Sequence, residues 1–99
     1  MTGIPKKLVA AVRLEGTITE GADTDLLIFG TVKPGVREKM EKLDKTHSIL
    51  VVTSVVKYVS ASRLLWRFLI DNNLTFMDVW CGEGLPTVDL WVDDTAVKL

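Results

Sequence analysis

The stretch Leu8-Val9-Ala10-Ala11-Val12-Arg13-Leu14-Glu15-Gly16-Thr17 decides how this chain is expected to fold. Its first five residues form a short apolar run that is followed by a Gly turn, which predicts a strand buried in a parallel sheet. Polar residues directly after such a strand lie at its carboxyl end, and open α/β sheets bind ligands at that edge. We therefore expect a site at Arg13 and the residues after it.

Further along the chain, several segments follow residues 13–17 in the same order as the motifs of a known protein family. They are Lys33-Pro34-Gly35-Val36, Leu50-Val51-Val52-Thr53-Ser54, Gly84-Leu85-Pro86 and Asp89-Leu90-Trp91-Val92-Asp93-Asp94. With residues 13–17 they resemble the motifs of the haloacid dehalogenase-like (HAD) phosphatase superfamily. Those motifs are Asp-x-Asp-Gly-Thr, the Pro-Gly-Val opening of the first core helix, a strand ending in a phosphate-binding Thr or Ser, and Gly-Lys-Pro before an acidic strand end. The resemblance implies one HAD-like domain over residues 1–99, a three-layer Rossmann-like α/β sandwich with a small, mainly parallel sheet.

The chemistry of that family depends on carboxylates that are replaced in this chain. In HAD phosphatases the first Asp of the motif attacks phosphorus and helps to hold magnesium, and the second protonates the leaving group. Arg13 stands at the first position, Glu15 at the second, and Leu85 where the family carries a charge-neutralising Lys. Arginine stays protonated and cannot ligate a hard cation. We therefore expect no bound magnesium, no other cofactor and no normal phosphatase activity.

Glu15 is the residual catalytic candidate. Its carboxyl group lies one methylene beyond that of an Asp, a shift of roughly an ångström that can cost on the order of a hundredfold in rate. A weak magnesium-dependent phosphomonoester hydrolase that uses Glu15 and Asp93 is the enzymatic alternative.

The resemblance also implies which residues surround the pocket. Thr53, Ser54, Asp93 and Asp94 match the family's motifs, whereas Val55 stands where relatives often place Arg. The expected pocket residues are Arg13, Glu15, Thr53, Ser54, Val55, Leu85, Asp93 and Asp94.

Several interpretations of this pocket stay open. It belongs to a natural degenerate enzyme or to a site redesigned on a HAD-like scaffold, and one sequence does not separate the two. Arg13 and Asp93 are expected to form an ion pair, or Arg13 and the Thr53 hydroxyl bind a phosphate or carboxylate without a metal. Leu85 and Val55 suit an apolar ligand or simply fill the pocket.

Length and composition set the remaining bounds. The chain has 99 residues, of which 47% are hydrophobic, and a net charge of −1, so neither nucleic acid nor an anionic membrane is an expected partner. No apolar stretch approaches the ~20 residues of a membrane span, and no secretory signal is expected at the start. With the single Cys81, a cytoplasmic location is the expectation.

The elements between the motifs follow from periodicity. Residues 18–32 are expected to form a loop or short hairpin flap, and neither gap between motifs is long enough for a cap domain. Val36, Met40 and Leu43 mark the apolar stripe of a helix from about 35 to 45. Short strands are expected at residues 77–80 and 88–92, which makes about four parallel strands with right-handed connections.

A second helix is predicted from about 57 to 72, and it carries two apolar faces. The face expected in the core consists of Ala61, Leu64, Leu65, Phe68 and Leu69. Val59, Trp66 and Ile70 cluster on nearly the opposite side, where a surface helix is normally polar. This second face indicates a homodimer contact, or else the ring of Trp66 lies over a neighbouring loop.

Three reactive side chains are better explained without a function. His47 lies at the amino-terminal end of its strand, away from the expected pocket. Cys81 is expected to be a small buried hydrophobe rather than a reactive thiol. Lys57 is expected to be solvated at a helix start rather than an activated amine.

Overall fold

The computed structural model of the protein describes residues 8–23, 28–53, 59–80 and 86–92, and of residues 59–62 only the backbone. The elements are β1 (Leu8–Arg13), β2 (Thr19–Glu20), β3 (Thr31–Val32), α1 (Val36–Asp44), β4 (His47–Val52), α2 (Val59–Asp71), β5 (Asp78–Trp80) and β6 (Leu90–Val92). The predicted alternation of strands and helices is confirmed. The last two strands begin later than expected, at Asp78 rather than Met77 and at Leu90 rather than Val88.

β1 and β4 are the two central strands of the sheet, and the apolar run of β1 is buried, as predicted, over Ala10, Ala11 and Val12. The strand order is β5-β4-β1-β6, and every pair is parallel. Val12 lies beside Val51 of β4 on one side and Val92 of β6 on the other. The described chain is therefore an α/β domain with a four-stranded parallel sheet and two helices, which is compatible with a Rossmann-like fold.

Both helices cover the same face of the sheet. Val36 and Met40 of α1 and Leu65 and Leu69 of α2 belong to one buried cluster with the strand residues of that face. The helices are also joined directly, because Arg37 Nε donates a hydrogen bond to the carbonyl of Asn72, just after α2, at 2.5 Å. The strand residues in this cluster are Val12, Ile49, Val51, Val79 and Val92. Fully burying each such aliphatic side chain contributes about 1.5–3 kcal/mol.

The other face of the sheet is apolar as well. Ala11 lies between Leu50 and Trp91, and Val52 lies beside Trp80. Ala11, Leu50 and Val52 are buried, and the two Trp side chains are half-buried. Burial on both faces explains why β1 and β4 read as continuous apolar runs instead of alternating ones. The described part of the chain contains no helix on this face, and the expected third layer stays a prediction.

The flap predicted at residues 18–32 is a short antiparallel hairpin. Thr19 of β2 pairs with Val32 of β3, and Asp23 and Ile28 exchange two backbone hydrogen bonds of 2.9 Å. The Thr19 hydroxyl, which is buried, donates to the carbonyl of Phe29 at 2.6 Å. Phe29 in turn packs its ring against Phe68 of α2, with centroids 5.2 Å apart. The hairpin is therefore held by hydrogen bonds between its own two arms and by ring packing against α2.

The predicted core face of α2 is wrong at Leu64. Leu65 and Leu69 are fully buried and Phe68 is half-buried, but Leu64 is 61% exposed. At roughly 100° per residue, the buried arc is centred between Leu65 and Leu69, which places Leu64 at its margin. Sequence periodicity identified the helix correctly, but the face that it predicted for the core wrongly included Leu64.

The predicted end of α2 at Asn72 and Asn73 is confirmed. Asn73 has a φ of 56°, and its N–H bonds to the carbonyl of Ile70 at 3.0 Å while Leu74 N–H bonds to that of Leu69. These two bonds and the left-handed residue form a Schellman motif, which satisfies the last carbonyls of a helix. Leu74 is buried in the same cluster as Leu69, so the helix end is also packed.

Within the described residues, no helix has the length and hydrophobicity needed to cross a membrane.

Candidate functional site at the carboxyl end of the sheet

Arg13 is the last residue of β1 and lies beside Val52, the last residue of β4. Adjacent strands are about 4.8 Å apart, so the backbone of Arg13 is next to the point at which β4 leaves the sheet. The Arg13 side chain is half-buried, and it forms no hydrogen bond or ion pair with another residue that the structure describes. Within the described residues, the donors of this guanidinium therefore have no protein acceptor.

The loop after Arg13 is a tight turn held by backbone hydrogen bonds. Leu14 N–H donates to the carbonyl of Val52 at 2.8 Å, and the Leu14 carbonyl accepts from Ile18 and Thr19 at 3.0 and 2.9 Å. Gly16, with a φ of 83°, supplies the left-handed turn that the motif predicts. Because Leu14 and Ile18 are both fully buried, residues 15–17 are held at a defined position on the sheet edge.

Glu15 and Thr17 lie within this turn. Glu15 is half-buried and forms an isolated bridge with Thr19 at the start of the hairpin. Thr17 is 7% exposed, and its hydroxyl has no hydrogen-bond partner among the described residues. A buried polar atom without a partner is uncommon in folded proteins. The loop therefore holds, in its interior, a hydroxyl that has no hydrogen-bond partner among the described residues.

Lys33 is a site residue for which the sequence predicted no role. Its ammonium group donates to the carbonyl of Gly16, and its own N–H donates to the carbonyl of Ile18 at 2.9 Å. The signal was present, because Lys33 directly follows the hairpin that starts at the site loop and directly precedes Pro34-Gly35. The contact of Lys33 with Gly16 depends on the hairpin closing back onto the loop after β1, which only the tertiary structure decides.

Thr53 directly follows β4 and is buried, at the same sheet edge as Arg13. The register of β1 and β4 therefore places the backbones of Arg13 and Thr53 at the same edge of the sheet. The other predicted pocket residues, Ser54, Val55, Leu85, Asp93 and Asp94, lie outside the described residues, as do Lys57 and Cys81. The expected ion pair between Arg13 and Asp93 stays a prediction for the same reason.

Possible metal ligands are few in the described ranges. No group of three or more His, Cys, Asp or Glu side chains that could hold a metal ion occurs within them. His47 opens β4 at the amino-terminal end of the strand, and its Nδ1 lies 2.8 Å from the Thr46 hydroxyl. It is therefore at the opposite end of β4 from Thr53, as expected.

A separate cavity lies at the far edge of the molecule. It has a volume of about 500 Å³ and is lined by Lys39, Lys42, Leu43 and Thr46 at the end of α1. None of these residues was predicted to belong to a site, and α1 leads into the amino-terminal end of β4. This cavity and the Arg13 loop are at opposite ends of the sheet.

The predicted partner face of α2 is partly covered within the chain, and its role in a homodimer stays a prediction. The ring of Trp66 packs edge-on against Phe76, with centroids 4.7 Å apart, and is half-buried. Ile70 is 57% exposed, and the side chain of Val59 lies outside the described residues. Trp66 therefore has an intramolecular partner, which matches the alternative of a ring lying over a neighbouring segment.

Comparison with known proteins adds no relative. No protein-family model matches the chain, and neither a curated protein nor a solved structure shows significant similarity to it.

Proposed function

We propose that this chain is a HAD-like scaffold without normal magnesium-dependent phosphatase activity, and that the pocket at the end of β1 binds a small oxyanion without a metal. The proposal rests on Arg13, a cation at the carboxyl end of β1 with no carboxylate partner among the described residues. Arg is suited to oxyanions because its guanidinium presents several donors in a planar fork.

The loss of phosphatase chemistry follows from the same residue. A nucleophilic carboxylate is needed to form an aspartyl phosphate, and Arg13 provides neither a nucleophile nor a ligand for magnesium. The finer fold assignment, a cap-less three-layer HAD-like core whose site stays open, belongs to this proposal and is supported by the order of the four motifs. A natural degenerate origin and a redesigned pocket both remain compatible with it, as does a cytoplasmic location.

Hydrolysis of p-nitrophenyl phosphate tests the scaffold. The chain is compared with a triple variant, Arg13→Asp, Glu15→Asp and Leu85→Lys, with and without magnesium. We expect activity only in the triple variant with magnesium. Activity of the unaltered chain that requires magnesium would instead support the weak hydrolase that uses Glu15 and Asp93. Activity in neither would mean that the resemblance concerns the fold and says nothing reliable about function.

Calorimetric titration with inorganic phosphate tests the anion site. We expect Arg13→Gln to weaken binding by about tenfold or more, because a charge-assisted hydrogen bond contributes about 1.5–3 kcal/mol. Arg63→Gln, which removes the same charge from an exposed position on α2, is the matched control and is expected to bind as the unaltered chain does. Absence of heat at millimolar phosphate in the unaltered chain would contradict the proposal.

A homodimer through the outer face of α2 is a second, independent proposal. Ile70 is exposed beside the half-buried Trp66, so the two can still form one apolar contact surface with Val59. Light scattering after size exclusion is expected to show a dimer that Ile70→Asp converts to a monomer. Arg67→Asp tests whether a negative charge at a neighbouring position of α2 has the same effect. If the unaltered chain is already a monomer, the dimer proposal is wrong.

A further inference from the structure

Lys33 is held against the site loop by two separate contacts. Its backbone N–H donates to the carbonyl of Ile18 at 2.9 Å, and its side-chain ammonium donates to the carbonyl of Gly16. The hairpin brings it there, since Val32, the preceding residue, pairs with Thr19 directly after the loop. The amine is therefore prepositioned beside the turn that follows Arg13.

Contacts within the described residues use only part of the hydrogen-bonding capacity of the Lys33 ammonium group. An ammonium group has three donors, and the carbonyl of Gly16 takes one of them. The Lys33 side chain is half-buried and forms no ion pair with a carboxylate among the described residues. A partly desolvated cation interacts more strongly with an anion than a fully solvated one does, because the effective dielectric constant is lower.

The loop itself supports a ligand at this position. The Thr17 hydroxyl, one residue beyond Gly16, is buried and has no hydrogen-bond partner in the described part of the chain. Arg13 lies on the other side of Gly16 along the chain, and its side chain has no hydrogen bond or ion pair with a residue in the described ranges. The turn thus follows Arg13 in the chain, contains the buried Thr17 hydroxyl and the Glu15 carboxyl group, and is contacted by the Lys33 ammonium. Gly16 has no Cβ that would limit the approach of a ligand.

We propose that Lys33 is a second cationic group of the anion site, and that the site therefore prefers doubly charged tetrahedral oxyanions, such as phosphate and sulfate, over carboxylates. This inference rests on the proposed anion binding at Arg13. A single cation discriminates weakly between anions of one and two charges, whereas two cations that contact one ligand bind a doubly charged anion more tightly than a singly charged one. Lys33 then supplies the positive charge that the HAD motif places at the position of Leu85.

A purely structural role makes a different prediction. If Lys33 only holds the carbonyl of Gly16 in place, its removal loosens the loop and weakens the binding of every anion to a similar extent. If Lys33 contacts the ligand, its removal weakens the binding of a doubly charged anion much more than that of a singly charged one. Anion selectivity therefore separates the two roles, and stability alone does not.

The test is calorimetric titration of sulfate and of acetate into the unaltered chain and three variants at neutral pH. Lys33→Gln removes the charge, Lys33→Arg keeps it, and Lys42→Gln removes a charge from an exposed position on α1. We expect Lys33→Gln to weaken sulfate by about tenfold and acetate by less than about twofold, whereas the other two variants keep the preference for sulfate. Thermal unfolding of each variant shows that the compared chains are folded.

The outcomes separate this inference from the proposed function. If sulfate and acetate both bind the unaltered chain and Lys33→Gln leaves their ratio unchanged, the role of Lys33 is overturned while anion binding at Arg13 stands. If neither anion binds the unaltered chain at millimolar concentration, both are overturned. If Lys33→Gln unfolds the chain, the Lys33→Arg variant decides, because loss of the sulfate preference with the charge retained contradicts the inference.

Discussion

The Thr19 hydroxyl donates a hydrogen bond of 2.6 Å to the carbonyl of Phe29, across the hairpin that follows β1. It also lies 3.4 Å from the carbonyl of Leu14 in the site loop. One buried side chain therefore ties the loop that holds residues 15–17 to the far arm of the hairpin. The position of the candidate site depends on this tie as well as on the sheet.

Replacing Thr19 with Val is expected to destabilise the chain by about 1–3 kcal/mol, because the shape is kept while the Phe29 carbonyl loses its partner. Urea unfolding followed by circular dichroism measures the change. Thr31→Val, at an exposed position on β3, is the matched control and should change stability by less than about 0.5 kcal/mol. Equal effects of the two substitutions would mean that the hairpin does not depend on the buried bond.

Gly30 is expected to tolerate Ala much less well than Gly35 does. Both have a positive φ, 96° and 80°, but a Cβ at Gly30 would lie 2.4 Å from the backbone carbonyl oxygen of Glu20, whereas one at Gly35 would meet nothing within 4 Å. Gly35→Ala should cost only the left-handed strain of about 1–2 kcal/mol. Gly30→Ala should cost about 1–3 kcal/mol more, measured as the difference between the two unfolding free energies, and a zero difference would contradict the hairpin geometry.

Leu69→Ala and Leu64→Ala compare the two sides of α2 with the same change. Leu69 is fully buried and Leu64 is 61% exposed. We expect a loss of about 2–5 kcal/mol for Leu69→Ala and less than about 0.5 kcal/mol for Leu64→Ala. Chemical denaturation measures the free energy of unfolding of the two variants. A larger loss for Leu64→Ala would support the core face that the sequence predicted.

Phe29 and Phe68 are expected to be energetically coupled, since their rings join the hairpin to α2. A double-mutant cycle with Phe29→Leu and Phe68→Leu should give a coupling of about 0.5–1.5 kcal/mol. The control cycle pairs Phe29→Leu with Phe76→Leu, because Phe76 packs on Trp66 instead. Coupling of the same size in both cycles would show that the substitutions act through general destabilisation.

The elements of this fold were largely predictable because they depend on local patterns. Continuous apolar runs indicated the buried strands β1 and β4, the spacing of Val36, Met40 and Leu43 indicated α1, and Asn72-Asn73 marked the end of α2. The placement of Arg13 and Thr53 at one sheet edge was predictable on the same basis, since Arg13 ends β1, Thr53 directly follows β4, and parallel strands end at a common edge. The contact of Lys33 with the loop after β1 was not predictable, because it depends on the folding of the hairpin.

By itself, the sequence determined the order of strands and helices, the Gly turn after β1 and the presence of a cation, Arg13, at the end of that strand. Only the tertiary structure decided which partners the side chains have: Lys33 on the carbonyl of Gly16, Thr19 on that of Phe29, Trp66 against Phe76, and Leu64 outside the core. The physical reason is that periodicity and turn chemistry act between residues near in the chain. The rotation of a helix on a sheet, and the closing of a hairpin onto a loop, depend on packing among residues that are distant in it.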